Sequence, residues 1–200
     1  MQTFAITEND LNRLTEIFAK CVSTSTANAL GTLLGESIQY HIGKTEFLDI
    51  TQLDQLTPAF SDGTNMSAVY LKQSGDVDVG VLYYMPEKDG KKFAAKLLGK
   101  KRLDSFTKLS KSSLSETGNI LSGSFFNTLA NDQGYKTSAD VPGFAVDSFM
   151  SVLEIPAMEI GIETQSLVAC SAEFSSSSGL KLRMLMILDP PNAKKLLEKH

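Results

Sequence analysis

The chain has 200 residues, of which 42% are hydrophobic and 21% charged, enough apolar material for the core of one domain or of two small fused ones. Its net charge of −4 and pI near 5.2 argue against a nucleic-acid partner, which selects for a clustered basic surface. No apolar run reaches the roughly 18 residues of a membrane span, and the N-terminal MQTFAITENDLNRL lacks the basic-then-apolar order of a secretion signal. Cys21 and Cys170 form no disulfide framework and read as buried small hydrophobes of a reduced cytoplasm.

In chain order, Thr7 caps a helix with Asp10 at its third position, and the helix runs to about Gly35 with a bend near Gly31. Lys44–Thr51 alternates as a short strand, and Thr51–Phe60 is a connection ending at Pro58, before the turn Ser61-Asp62-Gly63. Ser67–Gln73 and Val77–Met85 form a hairpin about Ser74-Gly75-Asp76, and Pro86 leads into an amphipathic helix over Glu87–Gly99. A long helix capped by Asp104 or Ser105 then runs to Asn131–Gly134. After Pro142-Gly143 come a short helix over Ala145–Leu153, a second hairpin of Ser166–Phe174 with Leu180–Leu188, and a last helix, Ala193–Lys199, opened by Pro190-Pro191. Met150, Met158, Met184 and Met186 read as core.

The same series occurs twice, over residues 7–99 and 105–199: long helix, connection, strand hairpin, proline, Lys-rich short helix. The strand ends VLYYM (Val81–Met85) and MLMIL (Met184–Leu188) are continuously apolar, as in strands covered on both faces. The predicted architecture is therefore α+β: an internally duplicated, pseudo-twofold single domain spanning 1–200. Its central sheet is mainly antiparallel, with long helices packed on it and the two hairpins meeting in the middle.

The helix KLSKSSLSETGNILSGSFFNTLAN (Lys108–Asn131) carries the functional signal. Leu114, Gly118, Leu121, Phe125 and Leu129 make one apolar stripe; Ser112, Glu116, Asn119, Gly123 and Asn127 make the opposite one, all within about 60° of Glu116 on a 3.6-residue wheel. A merely solvated face carries many Lys and Glu, whereas this one has a single carboxylate, amides and small residues, as a contact surface would. Nucleotide-binding glycine motifs, HExxH, GxSxG and CxxC pairs are missing, and two histidines, His41 and His200, exclude a multi-His metal site. No metal site is expected.

The order Ser112, three residues, Glu116, two residues, Asn119, then 22 residues and Pro142, resembles the motif of the CheC-type phosphatases of bacterial and archaeal chemotaxis, which include CheC, CheX and FliY. Those proteins are also internally duplicated, with a site on each long helix. The resemblance implies catalysis by Glu116 and Asn119, contacts from Ser112 and Gly123, a loop shaped by Pro142, and no cofactor of the chain's own. It also implies a phosphorylated CheY-like response regulator as partner, with Mg²⁺ bound in that regulator. The first helix keeps Glu16 but has Asn12 at the first position, Ala19 at the amide and Ile42 at the proline, so it reads as a degenerate first site. The resemblance further allows a homodimer through sheet edges, a deamidase-type chemotaxis partner, and an alternative role as a non-catalytic adaptor.

Overall fold

Thr7 begins the described chain's first helix with a capping box. Its hydroxyl accepts from the Asp10 amide at 3.2 Å, and the Asp10 carboxylate accepts from the Thr7 amide at 2.8 Å. The computed structural model describes residues 5–56 and 63–198; Pro58 and the turn residues Ser61 and Asp62 lie outside them.

Helix α1 (Glu8–Cys21) passes into a π-helical turn (Val22–Thr26) and then α2 (Ala27–Leu34), which Gly35 stops at φ 64. The bend thus lies at residues 22–26 rather than near Gly31. Ser23 and Thr24 donate to the Lys20 carbonyl at 3.1 and 2.7 Å, and Ser25 to that of Cys21 at 2.7 Å. Hydroxyls bonding back to the preceding turn compete with the α-helical ladder, and β-branched residues in the same run lower its propensity.

Strand β1 (Ile38–Asp49) is longer than the expected Lys44–Thr51, and a 3₁₀ segment (Ile50–Leu56) follows it. Then come β2 (Asn65–Gly75), β3 (Val79–Pro86) and α3 (Glu87–Leu97). The second half holds α4 (Lys108–Gln133), β4 (Thr137–Ala139), β5 (Gly143–Ser148), α5 (Phe149–Gly161), β6 (Ser166–Ser176), β7 (Lys181–Leu188) and α6 (Pro190–Glu198). The helix expected over Ala145–Leu153 is corrected: its first four residues are the end of β5, held by β2 through pairs such as Ala68 with Ala145, and the helix starts at Phe149.

These strands form one antiparallel sheet in the order β1-β6-β7-β3-β2, with β4 and β5 both on the outer edge of β2. The two hairpins meet at its centre, where Leu82 of β3 pairs with Leu185 of β7 in the middle of their register. The outer strand of each half lies on the hairpin of the other: β1 pairs with β6, and β5 with β2. That exchange is compatible with a pseudo-twofold arrangement of the sheet.

Both sheet faces are covered, which explains the continuously apolar strand ends. Val81, Tyr83, Met184 and Met186 join the core shared with α1, α2, α3, α4 and α6. Leu82, Tyr84, Leu185 and Ile187 point the other way, to α5 and the 3₁₀ segment. Met184 and Met186 are core as expected, but Met150 and Met158 are not. They stand on the outer side of α5, 44% and 41% exposed. Cys21 and Cys170 are buried and form no disulfide, and burial pushes the Cys170 thiol up to about 11.

Candidate functional site

The site helix α4 starts at Thr107, not at Asp104 or Ser105. The Thr107 hydroxyl accepts from the Ser110 amide at 3.2 Å, while Ser110 Oγ accepts from the Thr107 amide at 2.8 Å. Asp104 instead takes Arg102 at 2.6 Å. At the far end Gly134 adopts φ 69 and donates its amide to the Ala130 carbonyl at 2.6 Å, a left-handed stop suited to glycine.

The two predicted stripes of α4 separate cleanly. Leu114, Leu121, Phe125 and Leu129 are buried in the main core, and Gly118 is buried against β2. A Cβ at Gly118 would stand 2.7 Å from Val69 Cγ1, so only hydrogen there lets the helix lie this close to the sheet. The opposite stripe, with Ser112, Glu116, Asn119, Gly123 and Asn127, is exposed at every position. Nothing lies within 4 Å of where a Gly123 Cβ would be.

Glu116 and Asn119 sit three residues apart on an unbroken helix, about 4.5 Å along its axis at 1.5 Å per residue. Among the described residues neither side chain has a hydrogen bond or ion pair, so a carboxylate and an amide are held out to solvent side by side with their bonding capacity unspent. Pro142 is half-buried between β4 and β5. Two residues on, the Phe144 ring packs edge-on to Phe106 at 5.3 Å and lies 5.9 Å from Lys111 Nζ, which brings the start of β5 beside the first turns of α4.

Sequence reasoning missed two members of the exposed face. Leu109 and Ile120 are 60% and 37% exposed and fall within about 40° of Glu116 on the wheel. Each is a large apolar group in water beside the carboxylate. The wheel itself carries this signal, since both positions fall on the polar stripe. The face is therefore a mixed surface, with Leu109 and Ile120 to one side of Glu116 and Ser112 and Asn119 to the other.

The first half offers no equivalent surface. Asn12 and Glu16 are exposed on α1, but Ala19 is half-buried and has no polar group to present. Ile42 lies inside β1, where the register with β6 shifts, rather than in a loop. Beyond Cys21 the π turn rotates the helix, so the stripe that continues through Gly123 on α4 is interrupted on its counterpart. No group of three or more His, Cys, Asp or Glu among the described residues is placed to hold a metal ion, and no helix among them is long and apolar enough to cross a membrane.

No protein-family model matches the chain. It is 26% identical over 178 residues to the CheY-P phosphatase CheC of Bacillus subtilis, covering 85% of this chain and 84% of that one. FliY of Thermotoga maritima has the same fold, with a TM-score of 0.75 at 14% identity over 98% of this chain and 97% of that one. The chain is thus similar in sequence to CheC, and in fold to FliY and to a CheC-like protein. It also shares its fold with CheX in the CheX–CheY–BeF₃–Mg²⁺ complex of Borrelia burgdorferi, with a TM-score of 0.59 at 19% identity over 86% of this chain and 97% of that one.

Proposed function

We propose that the chain hydrolyses the aspartyl phosphate of a CheY-like response regulator in the cytoplasm, from one site per chain on the exposed face of α4. The observation that carries this reading is the pair Glu116 and Asn119, solvent-facing on an unbroken helix and without a hydrogen bond or ion pair among the described residues. Likeness to a CheY-P phosphatase and to a protein crystallised with CheY supports it.

The chemistry follows from what the partner already holds. An acyl phosphate is attacked in line by water, and the regulator's own Mg²⁺ and lysine neutralise the phosphoryl oxygens. The visiting helix supplies position rather than a base. Asn119 orients the water with its amide, which can both donate and accept but cannot take up a proton. A loose transition state asks for little proton abstraction, so an amide suffices. Glu116 pairs with the regulator's active-site lysine and fixes the register of the helix across the phosphate. Ser112 contacts the rim, Gly123 lets the partner backbone approach, Leu109 and Ile120 supply apolar contact, and Pro142 shapes the neighbouring loop. Ala19 leaves the first helix without the water-orienting group, so Asn12 and Glu16 take no part.

The test is phosphate release from a phosphorylated CheY-like regulator, compared with that regulator alone. Asn119→Ala should lower kcat by about 10²-fold through a misplaced nucleophile. Glu116→Ala should lower kcat/KM by about 10- to 100-fold through the lost charge-assisted bond. If both variants match wild type, this face is not the site. The second reading, a non-catalytic adaptor, draws on the loss of one of two sites by Ala19. It predicts tight binding of the phosphorylated regulator with no acceleration of phosphate loss.

A further inference from the structure

The chain is acidic as a whole, yet residues 87–111 hold nine Lys and Arg against three Asp and Glu. They carry a local charge of +6 in a chain whose net charge is −4. The structure folds this segment around a cleft of about 630 Å³ between α3 and the linker to α4, walled by Lys88, Lys91, Lys92, Lys96, Lys100 and Lys101.

Part of this charge is neutralised locally. Lys91 meets Glu87 at 2.9 Å, Lys92 meets Asp89 at 2.8 Å, Lys96 meets Glu36, and Arg102 meets Asp104. Lys88, Lys100, Lys101, Lys108 and Lys111 have no ion pair among the described residues, and all five are exposed. A solvated face has no need to stack like charges at one end of an acidic molecule, where their repulsion costs stability.

Position gives the cluster a use. Lys108 opens α4 and lies within about 20° of Asn119 on the wheel, about 16 Å away along the axis. The cleft's lining runs to Asp104, four residues before Lys108, so it adjoins the N-terminal end of α4. A partner lying along Glu116 and Asn119 that extends past the start of α4 meets Lys108 first and then the cleft. A phosphorylated receiver bears a phosphoryl group and the carboxylates that hold its Mg²⁺, so its contacting surface is anionic.

We infer that the Lys-rich cleft between α3 and the start of α4 is an electrostatic docking surface for the acidic rim around the regulator's phosphorylation site. This inference rests on the function proposed above. It adds that the lysines set the encounter while Asn119 sets the chemistry. Opposed charges across an interface chiefly raise the association rate, and salt at physiological strength screens them beyond about 8 Å.

The experiment uses the full chain and the triple variant Lys100→Glu, Lys101→Glu, Lys108→Glu, with Asn119→Ala as the contrast. Two readouts are taken at about 0.05 M and about 0.5 M salt. One is phosphate release from a phosphorylated CheY-like receiver. The other is the Kd for that receiver loaded with beryllium fluoride and Mg²⁺. The triple variant should raise KM and Kd by about tenfold or more at low salt, leave kcat unchanged, and converge on wild type at high salt. Asn119→Ala should lose kcat at both. A triple variant whose Kd stays within about twofold of wild type at low salt overturns the docking surface. The Kd answers even if wild type fails to speed phosphate release, a failure that falls on the proposed function instead. Retention of wild type but not the triple variant on phosphatidylglycerol vesicles or duplex DNA, with receiver affinity unchanged, would assign the cleft to a different partner and also overturn it. The replaced lysines are exposed and have no ion pair among the described residues, and their removal relieves like-charge repulsion, so the thermal melt should not fall. The milder Lys→Gln triple should give an intermediate shift.

Discussion

Two glycines on one helix allow packing to be separated from helix propensity. Gly118→Ala and Gly123→Ala each gain about 1 kcal/mol from the lower backbone entropy of alanine in a helix. At Gly123 nothing lies within 4 Å of the new methyl group, so the whole gain should appear. At Gly118 the methyl would stand 2.7 Å from Val69 Cγ1 and 3.3 Å from Leu71 Cδ1, well inside ordinary contact. Val69 cannot swing clear: it is β-branched, 5% exposed, and pinned in register between Tyr83 on β3 and Phe144 on β5. Overpacking of this kind costs about 1–3 kcal/mol. Propensity cancels between the two variants, so Gly118→Ala should be less stable than Gly123→Ala by about 1–3 kcal/mol. Urea unfolding followed by far-ultraviolet circular dichroism measures this, with a separation in Tm of about 2–4 °C per kcal/mol as a check. Equal stability of the two variants would refute the packing argument. The pair also bears on function: Gly123→Ala should be the more stable protein and yet the poorer binder of the regulator, because its methyl group enters the contact face.

Three further outcomes are expected. Lys194 meets Asp10 at 2.7 Å and, with the Thr7 cap, holds its carboxyl down at about 2, below the usual 3.8. A lowered carboxylate pKa stabilises the fold above about pH 4 and loses that effect as pH falls through 2. Lys194→Met should therefore cost about 1 kcal/mol at neutral pH after solvent screening, with the gap to wild type closing below pH 4 in urea titrations. Ala19→Asn in an Asn119→Ala background should leave phosphate release at the rate of the regulator alone, since the π turn still breaks the face beyond it; a recovered rate would mean that only the amide was missing. Replacing Leu109 and Ile120 together by Ser should weaken regulator binding by about 10-fold or more, each being a partly buried apolar contact, without moving the melting transition downward. Calorimetry and a thermal melt check the two halves of that statement.

The stripes of α4 were legible because helical period and residue type agree there over seven turns, and the stops at Gly35, Pro86 and Gly134 because glycine and proline act locally. The centre of the sheet was legible for a related reason: strands covered on both faces must be apolar throughout. What escaped was decided by partners distant in sequence. Strand β1 begins at Ile38 although its first residues show no alternation, because β6 supplies its hydrogen bonds and its side chains are largely in water. The expected helix over Ala145–Leu153 takes in the last four residues of β5, yet GFAVDS alternates in exposure, and only its pairing with β2 tells strand from helix start over so few residues. The π turn had a local signal in the run Val22-Ser23-Thr24-Ser25-Thr26, five residues with weak helix propensity, four of them able to bond back to the preceding turn. Glu116 and Asn119 were legible as surface residues, but nothing in the chain's own periodicity names the chemistry they face.

The crossed arrangement of the outer strands has a further consequence. With β1 laid on β6 and β5 on β2, neither half of the chain can complete its share of the sheet from its own residues, and the linker near residue 100 joins two pieces that are already clasped. Cutting the chain between Gly99 and Lys101 should thus yield two fragments that are poorly folded apart and reassemble when mixed. The intact chain behaves as a tethered heterodimer of its own halves. In such an assembly the helix that carries Ala19 supports the half that carries Asn119 whatever its own exposed face presents.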